Sequence, residues 1–165
     1  MTNWEDASYS EIIENILRNH HAYLKRELPE IERLGFTLYK VHFFDSGEVL
    51  ERVHKLFGCL KTTLESHIIK EERSLFHMIR DYEKEPSMEL LDSILDGIQS
   101  AERDNLESMN ILKELRQVTD GYKLPPTSCQ TYETTYKKLK ELESGLHKHI
   151  GLENDILFER LRNEK

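Results

Sequence analysis

The chain reads as an all-α protein, an up-down-up-down antiparallel four-helix bundle, on three observations. Only 7 Gly and 4 Pro punctuate its 165 residues. Several of them gather at three places: Asp45-Ser46-Gly47, Glu85-Pro86-Ser87, and the stretch from Asp120-Gly121 to Pro125-Pro126. Between those places apolar residues recur in steps of three and four, the period of a helix with one buried face. The breaks leave segments 8–44, 46–83, 87–118 and 127–162, and short connections between four helices place neighbours antiparallel. Nothing reads as a strand or a linker.

The first segment opens on Ser8 with Glu11 three residues on, a capping box. Its stripe runs Leu17, His21, Leu24, Leu28, Ile31. Pro29 lies inside it and is expected to kink the helix or split it. The second segment carries Phe57, Leu60, Leu64, His67, Glu71, Ser74 and Met78 on one face. In the third, Ser87 follows Pro86 as an N-cap and the seam runs Leu91, Leu95, Ile98, Glu102, Asn105, Met109, Leu112, with Gly121 as the stop. Thr127 and Gln130 fit a capping box for the fourth, whose seam is Leu139, Leu142, Leu146, His149, Glu153, Ile156. The expectation is one domain over residues 1–165, with residues 1–7 as an N-terminal arm.

Each seam is interrupted once, by groups that bind metals. Two of the interruptions repeat. Residues 67–76 and 149–158 both read H-I-x-x-E-x-x-x-L-F, so each places a histidine and a glutamate four apart on one helical face. A lone pair of this kind is usually a surface ion pair. Burying a carboxylate without a partner is very costly, and coordination to a metal removes that cost. Heights agree: Glu71 lies 15 residues before Pro86 and Glu102 lies 16 after it, so the two are level in an antiparallel hairpin. Counted from the other turns, His21, His67 and His149 fall within roughly two helical turns of that layer, ~10 Å at 1.5 Å per residue. The candidate ligands are therefore His21, His67, Glu71, Glu102, His149 and Glu153.

The remaining histidines fit less well. His42 sits about 30 Å along the helix from His21, at the far turn. His54 has Glu51 beside it, while His77 and His147 fall off their seams. His20 competes with His21, which shares the heptad of Leu28. Cys59 and Cys129 make no disulfide framework; both read as packing residues, although the dipole of a helix start could lower the pKa of Cys129.

Three imidazoles and three carboxylates exceed one tetrahedral zinc. They suit two octahedral first-row ions bridged by Glu71 and Glu153, with iron ahead of manganese by ligand type.

His21 followed by Glu27-Leu28-Pro29, the paired H-I-x-x-E segments, and the tail Leu157-Phe158 resemble the hemerythrin-like HHE cation-binding domain. The resemblance spans Ile12 to Phe158, including Val41-His42 and Pro125-Pro126…Cys129. It is to the version found as the C-terminal domain of di-iron iron-sulfur cluster repair proteins, the regulators of cell morphogenesis and NO signalling. It implies two iron ions, oxo- and carboxylate-bridged, held by His21, His67, Glu71, His149 and Glu153. Where the family has a third-helix histidine within E-H-x-x-x-G, this chain has Ser100-Ala101-Glu102-Arg103, so Glu102 either replaces the imidazole or leaves the site a ligand short. The N-terminal cysteine-containing module of the repair proteins is not expected in the residues before Ser8.

The functional expectation is a non-heme di-iron protein of the nitrosative and oxidative stress response, supplying iron for repair of damaged iron-sulfur clusters. The competing readings are an O2 or NO carrier or sensor acting in trans, a carboxylate-bridged di-iron oxidase or peroxidase, and a metal-free bundle with interior ion pairs. A net charge of -8 with no basic patch argues against nucleic acid. No apolar run approaches bilayer length and no secretory signal opens the chain, so a cytoplasmic location is expected.

Overall fold

A computed structural model describes residues 3–165. Four helical rods account for its elements, and they are numbered here α1 (9–41), α2 (43–84), α3 (Met88–Val118) and α4 (130–162). α1 packs on α2 and α4, and α2 packs on α3. The all-α four-helix bundle is as expected, and no helix of the described residues is long and apolar enough to cross a membrane.

Caps and turns set the rod ends. Ser8 caps α1 in a complete capping box with Glu11, and the Ser87 hydroxyl accepts from the Leu90 amide to start α3. After α3 the chain reverses through Asp120, Gly121 and Tyr122, all at positive φ. Three boundaries differ from expectation. α1 ends at Val41 and α2 begins at Phe43, so the first connection is His42 alone, and Asp45, Ser46 and Gly47 form the opening turns of α2. α4 begins at Gln130 with Cys129 at its N-cap; the Thr127 hydroxyl instead donates to Asp45 across the turn. Pro29 neither splits nor ends α1, which continues as α-helix from Ala22 to Val41.

α1, α2 and α4 are not α-helical throughout. Each widens into a π-helical stretch at one level: Ile16–His21 in α1, Glu71–Leu75 in α2, Leu152–Phe158 in α4. A π turn inserts an extra residue into the ladder, so the buried face beyond it moves on by one position. The seams show this shift. Beyond Glu71 the buried residues are Leu75, Phe76 and Ile79 rather than Ser74 and Met78, and beyond Glu153 they are Leu157 and Phe158 rather than Ile156. In α1 the residue buried before His21 is Ile16, not Leu17.

α3 stays regular over 31 residues. Its buried line is Leu91, Ile94, Ile98, Ala101, Asn105, Ser108, Leu112, Leu115. The expected seam through Leu95, Glu102 and Met109 is the neighbouring heptad line, one residue round the helix.

The core falls into two clusters on either side of the widened level. One gathers Leu24, Leu28, Phe57, Leu60, Leu64, Leu139, Leu142 and their neighbours; the other gathers Ile12, Ile13, Ile16, Phe76, Ile79, Ile94, Leu157 and Phe158. The polar layer lies between them.

Candidate metal centre

Five of the six candidate ligands meet in that layer. His21, His67, Glu71, His149 and Glu153 are each 0–2% exposed. Ligand atoms of His21, Glu71, His149 and Glu153 all lie within 4.8 Å of one another. Glu71 Oε2 stands 3.2 Å from His21 Nε2 and 3.3 Å from His67 Nε2, and Glu153 Oε2 stands 3.6 Å from His67 Nε2. His149 Nε2 lies 2.5 Å from Glu153 Oε1. The π turns explain the convergence: each ends or begins on a ligand, His21 closing one, Glu71 opening another, and Leu152-Glu153 opening the third. Of His20 and His21, it is His21 that enters the layer; His20 is half-buried and stacks on His149 at 5.0 Å.

Glu102 is not part of this group. Its carboxylate pairs with Arg162 and is 31% exposed. The heptad line explains why, since Ala101 and Asn105 occupy the inward positions of α3 at that height. Asn105 takes the role the sequence reading missed. Its amide donates to Glu153 Oε2 at 3.0 Å and to Asn154 at 3.2 Å.

Outside the five, carboxylates back the imidazoles. His21 Nδ1 lies 3.0 Å from Glu72 Oε1, and Lys25 holds Glu72 from the other side. His67 Nδ1 faces Asp104 at 3.7 Å, with Lys70 bound to the same carboxylate at 2.9 Å. The Glu72 contact fixes the His21 tautomer and leaves Nε2 as a lone-pair donor, the usual outer support of a metal-bound histidine, whereas His67 Nδ1 makes no hydrogen bond. Glu72 directly followed Glu71 in the motif and could have been found as a residue one position round the helix from a ligand.

Electrostatics divides the group. Burial holds His21 down at about 4, with His149 beside it adding to the effect, so its ring is neutral and able to donate a lone pair at physiological pH. Glu71 is pushed well above the usual carboxylate range by burial and then by the charge of Glu153. Burial also works to raise Glu153, but the neighbouring His149 and His67 rings overcome it and draw that carboxyl well below its ordinary value.

The donor set fits a metal. His21 Nε2, His67 Nε2, Glu71 Oε1 and Glu71 Oε2 are buried polar atoms with no hydrogen-bond partner, and such atoms are costly unless something else satisfies them. Here they face one another across a few ångströms, which is where a cation would collect them. A match to the hemerythrin HHE cation binding domain covers residues 13–161.

The chain belongs to the hemerythrin HHE cation-binding family. Among its curated relatives are the iron-sulfur cluster repair proteins YtfE of Escherichia coli O81 and Escherichia coli O157:H7, each 31% identical over 157 residues. The YtfE of Escherichia fergusonii is 31% identical over the same length. In each case the match covers 95% of this chain and 68% of the relative. For a chain of this family, the buried His/Glu layer fits a metal-binding site, for which iron is the usual ion.

Two depressions approach the layer from different sides. His20, Tyr23, Gly145, Lys148 and His149 line one of about 400 Å³. His67, Glu71, Gly97, Ala101 and Asp104 line another of about 230 Å³.

Proposed function

We propose that this chain is a non-heme di-iron protein of the nitrosative and oxidative stress response, one that supplies iron to damaged iron-sulfur clusters in the cytoplasm. The observation that carries the reading is the buried group of three imidazoles and two carboxylates in a member of the HHE family, together with relatives named for cluster repair. Glu71, Glu153, His21, His67 and His149 would hold the iron. When bound, iron in such a site supplies redox chemistry and a place for O2 or NO.

The chain's own residues do the rest. Glu72 holds the His21 ring in the tautomer that turns Nε2 to the centre. Asn105 fixes Glu153. Glu71 is held by no hydrogen bond, so only the centre itself fixes its carboxylate. α3 contributes no imidazole to the layer, which leaves the His67 side with fewer strong ligands than the side where His21 and His149 stand 5.1 Å apart. The depression beside His67 and Glu71 gives that side a way out. These features support release of one iron more readily than the other.

The test is iron transfer. Protein loaded with ferrous iron, mixed in the presence of inorganic sulfide and a thiol reductant with a target whose cluster has been destroyed by nitric oxide, restores the target's cluster as one of its own irons is lost. Retention of all iron, with no restoration beyond that from free ferrous salt, would refute supply.

A second reading, an O2 or NO carrier or sensor, draws on the depression at His20 and His149, which admits a diatomic ligand without any need for iron to leave. Reversible, stoichiometric gas binding with iron content unchanged would select it, whereas catalytic loss of peroxide would select the oxidase or peroxidase reading.

A further inference from the structure

At the end of the bundle where α1 passes into α2, away from the metal layer, the His42 connection and the start of α4 bring together a cysteine, a histidine and an aspartate. His42 Nε2 lies 3.2 Å from Cys129 Sγ, and His42 Nδ1 lies 3.0 Å from Asp45 Oδ2. Asp45 in turn accepts from the Thr127 hydroxyl at 2.7 Å. His42 and Asp45 lie three residues apart at the connection of α1 to α2, and Cys129 comes from 87 positions further along the chain than His42. Thiol and carboxylate sit on opposite nitrogens of the ring, so a single cation cannot collect all three. The arrangement is an in-line relay in which the carboxylate orients the imidazole and the imidazole meets the thiol.

The surroundings favour a charged pair. His42 is raised above its usual value, by Cys129 first and Asp45 second. Cys129 is lowered, chiefly by His42 and then by the backbone amides of Tyr132 and Thr131 in the first turn of α4. Asp45 is lowered by Thr127 and His42. Tyr132 meets the His42 ring edge-on at 5.0 Å. Cys129 is partly exposed. Asp45 and Tyr132 also help to line a depression of about 280 Å³ at this end of the bundle, which Cys129 and His42 themselves do not line.

We propose that Cys129 is a nucleophilic thiol, activated by His42 and oriented through Asp45, that exchanges with small disulfides. His42 Nε2 accepts the thiol proton. The thiolate attacks one sulfur of the disulfide, the new S–S bond forms as the old one breaks, and the departing thiolate takes the proton from His42 and leaves as a thiol. No other oxidant is consumed. The result is a mixed disulfide on Cys129, and a small thiol reverses it. The site stands about 30 Å along α1 from His21, so it is separate from the metal ligands.

The experiment uses the Cys59→Ala variant, which leaves Cys129 as the one thiol, and the neutral probe 2-hydroxyethyl disulfide. Mixed-disulfide formation is followed by mass across pH 5 to 10, with iron content and helical circular dichroism as controls. The rate midpoint is expected below the ordinary thiol value of about 8.5. His42→Gln is expected to move it up and to slow the reaction at pH 6 by about threefold or more, because thiolate fraction grows tenfold per unit of pKa while intrinsic nucleophilicity falls by about half that exponent. Asp45→Asn is expected to give a smaller upward move. A parent midpoint at or above the ordinary thiol value overturns the proposal, even if His42→Gln fails to fold. So does a midpoint that His42→Gln leaves in place in a folded protein.

Discussion

The two H-I-x-x-E-x-x-x-L-F segments share five positions and the same spacing, yet their glutamates end in opposite states. Glu153 accepts from Asn105 and meets His149 at 2.5 Å, and it is held ionised. Glu71 has no hydrogen bond on either oxygen and is pushed toward its protonated form by burial and by Glu153. Two carboxylates so close in a dry layer cannot both carry charge without a cation, and the proton goes to the one with fewer donors. The motif sets where each carboxylate points, and the rings of His149 and His67 beside Glu153 decide which of them bears the charge.

The largest effect should come from breaking the shared layer. His149→Ala or His67→Ala is expected to lower iron content at least about tenfold, beyond what loss of an outer supporting group does, as read by metal analysis of folded protein.

Glu71→Gln should separate stability from metal binding. It removes the buried carboxyl that lacks a donor, so the metal-free variant is expected to be more stable than the metal-free parent by about 1–3 kcal/mol at neutral pH, while failing to hold two irons. The sign follows from the raised pKa. The native metal-free parent binds the Glu71 proton more tightly than the unfolded chain, so it loses stability as pH rises from the ordinary carboxylate range through the folded value. Thermal melts of the two proteins should therefore converge near pH 4 and diverge toward pH 7. A gap that is constant with pH would remove Glu71 as its source.

Asn105→Ala removes the amide donor to Glu153. Loss of the donor to Glu153 is expected to weaken iron binding by about 10-fold to 100-fold, the usual cost of removing an outer-shell partner, measured by competition with a chelator. Glu102→Ala should do almost nothing. Its carboxylate makes a partly exposed pair with Arg162, worth about 0–1 kcal/mol, and iron content is expected to be unchanged. Loss of one iron in that variant would restore Glu102 as a ligand.

Much of this was legible in the chain. The seams of α2 and α4 up to His67, Glu71, His149 and Glu153 could be read directly, because large apolar residues flank each ligand on one heptad line only. α3 was harder. Its apolar residues lie on adjacent lines, Ile94 and Leu95, and the true line then passes through small or polar residues, Ala101, Asn105 and Ser108. Hydrophobicity alone favours the wrong one, which is how Glu102 came to stand for a ligand. The π turns were hidden for a different reason: one inserted residue shifts the pattern without erasing it. Their trace is the Leu-Phe pair four and five residues beyond each motif glutamate, buried in both copies. The link between His42 and Cys129 joins positions 87 residues apart, and only the folded chain brings them together.

The most direct test is the iron content of the protein purified without chelator, read beside its near-ultraviolet spectrum. About two irons per chain with ferric charge-transfer bands is the expected result for a carboxylate-bridged pair built between helices. No metal, with a melting temperature that added ferrous iron leaves unchanged, would mean that the buried histidines and glutamates are structural ion pairs.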